Sequence, residues 1–168
     1  AGNERTTTTN CCQQIGSDYT VTTQYSMPAS VTKGSSNPMS SDRITQSYTY
    51  DANTKVPTAI TDFNGLSTSI AYDAVLRPTL VTLNSRGKKT TTYTDSSNYV
   101  TEHVQKSDNT TVSQSKAYFN GRGQVNKNEY QAGASNWNGV QTKYDTMGRK
   151  WKVSRPYDTG SSPAYWGE

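Results

Sequence analysis

Aliphatic side chains are scarce in this 168-residue chain: Leu, Ile, Val and Phe together number 21, about an eighth of the sequence. That is too little apolar surface to offset the chain entropy of a conventional α/β enzyme core. Histidine is nearly missing too, with His103 alone in Val100-Thr101-Glu102-His103-Val104, so no metal-ligand spacing and no paired acid–base dyad involves a second imidazole. Cysteine is limited to the adjacent pair Cys11 and Cys12, which fits neither a zinc pattern nor a C-x-x-C redox motif and leaves the redox state open. No apolar run approaches the ~18 residues of a membrane span, and no signal peptide opens the chain. Helical periodicity is absent as well.

What is present points to strands. Thr (26) and Ser (20) exceed a quarter of the chain, and Tyr supplies 12 of 17 aromatics. Simple disorder combines high net charge with few aromatics, whereas the net charge here is +4. Thr and Tyr favour extended backbone, so the composition predicts β-structure with thin cores.

An aromatic anchor recurs at Tyr25, Tyr50, Tyr72, Tyr93, Phe119 and Tyr144, with spacings of 25, 22, 21, 26 and 25 residues. Asp follows at Asp51, Asp73 and Asp145, and Asn120 once; Gly123 and Gly148 stand four residues after their anchors, and Arg77 and Arg149 five after. A second turn signal precedes some anchors, clearest at Asn64-Gly65, with Arg86-Gly87 and Asn138-Gly139 in equivalent places. Asn-Gly suits a two-residue type I′ hairpin, and Asp or Asn suits an Asx-turn. Each unit then reads as two short strands and two turns, unable to bury itself alone and therefore stacked on its neighbours. The anchors are expected to share one face, and Lys55, Arg77 and Arg149 to pair with Asp on adjacent turns.

These residues resemble the Rhs or YD-repeat family, whose pattern is roughly G-x-x-T-x-x-x-Y-D-x-x-G-R. Gly65 through Asp73 matches the first half, with Thr68 and Tyr72 in register, and Tyr144 through Arg149 matches the second. Tyr25 and Tyr93 depart from it, being followed by Ser26 and Thr94. The resemblance implies an all-β chain of tandem β-hairpin (YD) repeats in a curved antiparallel sheet, part of a larger shell or assembly. Residues 1–18 read as a lead-in, 19–158 as about six degenerate repeats and 159–168 as a tail leading toward a further repeat. The family's roles are toxin encapsulation and cell-surface adhesion, so the resemblance implies secretion or surface display. It also makes the partners further repeats of the same chain, other copies, or a larger complex, and the chain a fragment.

No catalysis and no cofactor or metal is expected. The recurring aspartates are explained together by turns, and Asp62-Phe63-Asn64-Gly65 lacks the remaining ligands of a calcium loop. The rival reading is a glycan- or polyanion-binding module. Residues 116–155 hold eight Lys/Arg against Glu129 and Asp145, and Trp137, Lys150, Trp151, Lys152 and Arg155 form its candidate surface. The plainer account of that tract is a strand with Trp151 and Val153 inward and Lys150, Lys152 and Ser154 in water. Nucleic acid is disfavoured by the modest charge and the absence of a recognition motif.

Overall fold

The computed structural model describes residues 6–9, 13–24, 26–35, 42–133 and 135–165. Cys11, Cys12, Tyr25 and Trp166 lie outside them. The described residues contain strands, turns and three short 3₁₀ segments, and no α-helix. The protein is all-β, built of tandem antiparallel hairpins. It divides into two compact units, Ala1–Arg86 and Gly87–Glu168.

In the first unit β1 (Thr6–Thr9), β2 (Gln13–Asp18), β3 (Ser30–Ser35), β4 (Ile44–Tyr50), β5 (Pro57–Thr61), β6 (Ser67–Tyr72) and β7 (Pro78–Leu83) pair in chain order, each antiparallel to the next. From β4 to β7 sequential pairing follows from the short Asp/Asn-bearing turns, which leave the chain nowhere to go but back alongside itself. Strand β6 shows the clean alternation of a sheet with one covered face: Thr68, Ile70 and Tyr72 are half-buried while Ser67, Ser69 and Ala71 are exposed. Directly opposite residues share a face, so Ile70 meets Val81 while Thr68 meets Leu83 and Ile60.

In the second unit β8 (Gly87–Thr94), β9 (Tyr99–Gln105), β10 (Thr111–Phe119), β11 (Val125–Gln131) and β12 (Trp137–Tyr144) form a meander. The far edge of β12 is divided between β13 (Lys150–Val153) and the two-residue β14 (Tyr157–Asp158). One row runs Tyr93, Val100, Ala117, Asn128 and Val140 across five strands; on the other face a row runs Thr94, Tyr99, Tyr118, Lys127 and Gln141.

The shortage of aliphatics has the consequence foreseen from composition. Among the described residues Tyr165, at 5% exposure, is the one fully buried hydrophobic side chain. Phe63, Leu83, Val112 and Val153 are exposed. Stability in such sheets rests on ladder hydrogen bonds, turn chemistry and cross-strand pairs rather than on an interior.

Two expected turns are corrected. Asn138-Gly139 lies within β12, where the missing side chain lets the Tyr157 ring lie against the backbone; a Cβ on Gly139 would stand 3.0 Å from the ring. Asn64-Gly65 does not form a two-residue type I′ loop, because Gly65 has φ +75° while Asn64 is not left-handed. The loop is instead a type I turn closed by a left-handed glycine, governed by Asp62 two residues upstream.

Candidate functional site

The repeated turn is the chemically distinctive object. At Asp73 the carboxylate oxygen Oδ1 accepts the N–H groups of Val75 (3.0 Å) and Arg77 (2.9 Å), and the Leu76 N–H donates to the Asp73 carbonyl at 3.0 Å. Asp145 repeats this with Met147 (2.9 Å), Arg149 (2.8 Å) and Gly148 (3.0 Å). Asn120 repeats it with Arg122, Gln124 and Gly123, each at 3.0 Å. Asp62 does so with Asn64 and Leu66, each 2.9 Å, and Gly65 at 3.0 Å. The Asp51 turn is one residue longer and uses Asn53, Thr54 and the Thr54 hydroxyl.

The fourth turn position must be left-handed, and residue identity bends to that demand. Gly123 and Gly148 occupy it at +74° and +82°, but Leu76 holds it at +65° despite its side chain, and in the longer Asp51 turn Lys55, one position later, is left-handed at +62°. The arginine that follows Leu76 and Gly148 pairs with the acid of its own turn: Arg77 Nε lies 2.7 Å from Asp73 and Arg149 Nε 2.8 Å from Asp145. In the third turn both members change together, and the Asn120 amide donates to Gln124 Oε1 at 3.0 Å. An uncharged couple replaces an ion pair in the same geometry. Turn hydrogen bonds hold these acids below the ordinary carboxylate range, with the N–H of Thr54 leading at Asp51, of Arg77 at Asp73 and of Arg149 at Asp145.

The anchors act at the same place in each hairpin. The pairing register shifts by one residue beside Tyr50, Tyr72, Phe119 and Tyr144, leaving Thr58, Thr79, Asn126 and Trp151 as the extra residues of β-bulges. Three anchor hydroxyls then reach back across the sheet to a main-chain carbonyl: Tyr50 to Pro28 (3.0 Å), Tyr72 to Pro57 (2.8 Å) and Tyr144 to Val125 (2.8 Å). Phe119 has no hydroxyl to donate, and its backbone N–H bonds the Asn98 carbonyl at 2.8 Å. The registers place Tyr93, Phe119 and Tyr144 on one face of the second unit.

No protein-family model and no curated protein matches this chain. What it can do is therefore argued from its own side chains.

The bulge at Trp151 also corrects the reading of the basic tract. Strict alternation from Lys150 to Ser154 fails because the extra residue changes the phase: Lys150 pairs with Tyr144, but Lys152 pairs with Lys143 on the opposite face. Trp151 is 66% exposed and Val153 39%, whereas Ser154 is buried at 2%, with its hydroxyl accepting the Gln141 N–H at 2.8 Å. Trp151 and Val153 are thus outward and Ser154 inward, opposite to expectation, while Lys150 is exposed as expected; Ser154 is bridged by Tyr165. Trp137 shares its face with Lys152, not with Lys150. Arg155 is exposed beyond β13, its N–H bonded to the Ala164 carbonyl at 2.8 Å.

A cluster that sequence reading passed over lies on the Trp137 face. Glu129, 6% exposed, receives the Tyr118 hydroxyl at 2.9 Å and the Lys127 ammonium at 2.8 Å. Burial alone would push Glu129 up, but the bonds from Lys127 and Tyr118 and the charges of Lys127 and Lys116 outweigh it and hold the carboxyl below its ordinary range. Burial, with the hydrogen bond to and charge of Glu129, pushes Tyr118 up to about 12. The available signal was Glu129 itself, an isolated acid between Lys116 and Lys143 in a basic stretch.

His103 sits on that same face with Nε2 3.2 Å from the Thr111 hydroxyl. Among the described residues no three His, Cys, Asp or Glu side chains gather as metal ligands, and no helix is long and apolar enough to cross a membrane.

Proposed function

We propose that this chain is a non-catalytic structural repeat segment of the Rhs/YD type, supplying strands to a larger shell or extracellular assembly. One observation carries the reading: the Tyr-Asp unit recurs with a tyrosine hydroxyl on a main-chain carbonyl and an aspartate carboxylate on the N–H groups of its own turn. At Tyr50-Asp51, Tyr72-Asp73 and Tyr144-Asp145 a hydroxyl ties the strand end to an earlier main-chain carbonyl while the carboxylate ties the turn to itself. A recurring unit whose polar groups are spent on its own backbone is a building element; a catalytic group has to keep a reactive atom for substrate. Lateral growth is favoured by the same design, because a sheet with so little buried hydrophobic surface gains from every further strand laid on its edge. The role in such an assembly is enclosure of a toxin or adhesion at a surface, with secretion or surface display. The partners are further repeats, other copies of the chain or a larger complex.

The test is the oligomeric state of the purified chain, by light scattering at rising concentration, with hydrogen exchange of the edge amides. Concentration-dependent association that protects the amides of β1 and β13 is the expected result. A monodisperse monomer with those amides already protected overturns the proposal.

A further inference from the structure

The net charge of this protein has an address. Residues 1–86 carry six Lys/Arg and six Asp/Glu, whereas residues 87–168 carry eleven against seven. Within the second unit the strand registers sort those charges by face. Lys88, Lys116, Lys127, Lys143 and Lys152 lie on the face of Tyr118, Trp137 and Gln141. Of the carboxylates borne by these strands, Glu129 alone is on that face. Glu102 and Asp158 are on the other, where Glu102 is paired to Lys89 at 2.8 Å.

Four of the lysines form a line. Lys116 on β10 stands level with Glu129 and Gly139; Lys127 on β11 is one strand over and two residues along, level with Gln141; Lys143 on β12 is two residues further, level with Lys152 on β13. With strands about 4.8 Å apart and a rise of about 3.4 Å per residue, each diagonal step is roughly 8 Å and the stripe spans roughly 20 Å. A groove of about 380 Å³, bordered by Tyr118, Asn126, Lys127, Gln141, Tyr157 and Ser161, opens beside its second member, Lys127.

We propose that this stripe binds a linear acidic polysaccharide, its carboxylates or sulfates meeting successive ammonium groups and its hydroxyls meeting the amides and hydroxyl of the groove. The function lies beyond the structural role above and does not depend on it. The state of the aromatic rings decides the class of polyanion. Lys116 lies 4.5 Å from the centre of the Trp137 ring, Lys127 4.2 Å from Tyr118 and Lys143 4.3 Å from Tyr165. Each ring is already engaged by an ammonium and holds that charge in place, so it is no open platform for a base. A single-stranded nucleic acid needs such platforms. A chain of charged, hydroxyl-bearing sugars needs only spaced cations and polar partners. Lys152 is the single member of the Arg149–Arg155 tract that joins this face with the stripe.

Binding of polygalacturonate and heparin by the whole chain tests this, with neutral dextran and oligo-dT as comparisons. Both acidic polysaccharides are expected to bind in a salt-sensitive manner, and dextran not to bind. The double variant Lys116→Gln/Lys143→Gln is expected to bind roughly tenfold more weakly, while Lys106→Gln, which removes a charge in the β9–β10 turn, changes little. Lysine acetylation followed by mass spectrometry provides a readout without substitution: polygalacturonate should shield Lys116, Lys127, Lys143 and Lys152 and leave Lys55 and Lys106 reactive. Equal loss of binding in Lys106→Gln, uniform shielding, no binding at 0.15 M salt, or oligo-dT binding as tight as polygalacturonate each overturns the proposal.

Discussion

Gly87 and Gly65 both sit at positive φ, yet replacing them by alanine should have very different consequences. Gly65 has φ +75° in an open turn, and a Cβ there meets nothing within 4 Å. Its replacement costs the left-handed penalty alone, about 1 kcal/mol. Gly87 has φ +134°, and a Cβ would stand 2.2 Å from the Gln105 carbonyl oxygen and 3.2 Å from the Lys106 Cα. Neither atom belongs to a side chain that can swing aside, so relief requires β8 to move off β9 where Lys88 faces Gln105. Backbone strain together with lost ladder bonds places the cost at about 3–5 kcal/mol. The assay is hydrogen exchange resolved by peptide, with the other unit as internal reference. At 1.4 kcal/mol per tenfold, Gly87→Ala should speed β8 and β9 amides by roughly a hundredfold to several thousandfold, and Gly65→Ala should speed β5 and β6 by about fivefold. Gly34, at φ +127° with a Cβ position 2.2 Å from the Asp42 carbonyl oxygen, belongs to the severe class. Exchange in Gly87→Ala within threefold of the parent, or no worse than in Gly65→Ala, would refute the reasoning.

Tyr72→Phe removes one hydroxyl and leaves the Pro57 carbonyl without its 2.8 Å donor, so chemical denaturation should show a loss of about 1 kcal/mol, with Phe119→Tyr giving no matching gain. Stability should also fall at both ends of the pH scale. The folded-state pKa values of Asp51, Asp73 and Asp145 are depressed, so their contribution is complete above the unfolded value of about 3.9 and is lost as pH falls through the folded values. The Asn120 turn has no such proton to gain, and its Arg122 and Gln124 amides should stay protected in an acid titration followed by NMR; simultaneous loss in all four turns would count against the account. Tyr118 is raised to about 12, so its contribution is complete below pH ~10 and lost as pH rises toward 12, which ultraviolet titration of the phenols can follow.

The all-β class and the Tyr-Asp turns were legible because a turn is a local demand. Asp73 must accept two N–H groups within four residues, and few side chains can do so. Bulges were not legible for the converse reason. Thr58, Thr79, Asn126 and Trp151 fill the same extra position with no common chemistry, so nothing marks where the alternation changes phase. That single slip put Trp151 and Val153 outward and Ser154 inward, against the expected alternation. Asn138-Gly139 misled because the same dipeptide that permits a tight turn also clears space for a ring, and the ring that needs the space, Tyr157, is eighteen residues further on. The Tyr118–Glu129–Lys127 cluster was hidden similarly: Tyr118 and Glu129 meet only once β10 and β11 are in register.

The exchange of Asp73–Arg77 and Asp145–Arg149 for Asn120–Gln124 shows which part of the turn is indispensable. Both versions keep the oxygen that accepts two backbone N–H groups, and both keep a side-chain donor and acceptor bridging positions one and five. Charge is dispensable, as expected where an exposed ion pair is worth little. In the neutral version Gln124 Nε2 also donates to the Gly148 carbonyl at 2.7 Å and ties one turn to the next. Each turn thus satisfies its own backbone first, and the Asn120 turn also reaches a neighbour. A sheet assembled from such units is held together unit by unit, which is how so few aliphatic residues can suffice and why its faces remain available for charge.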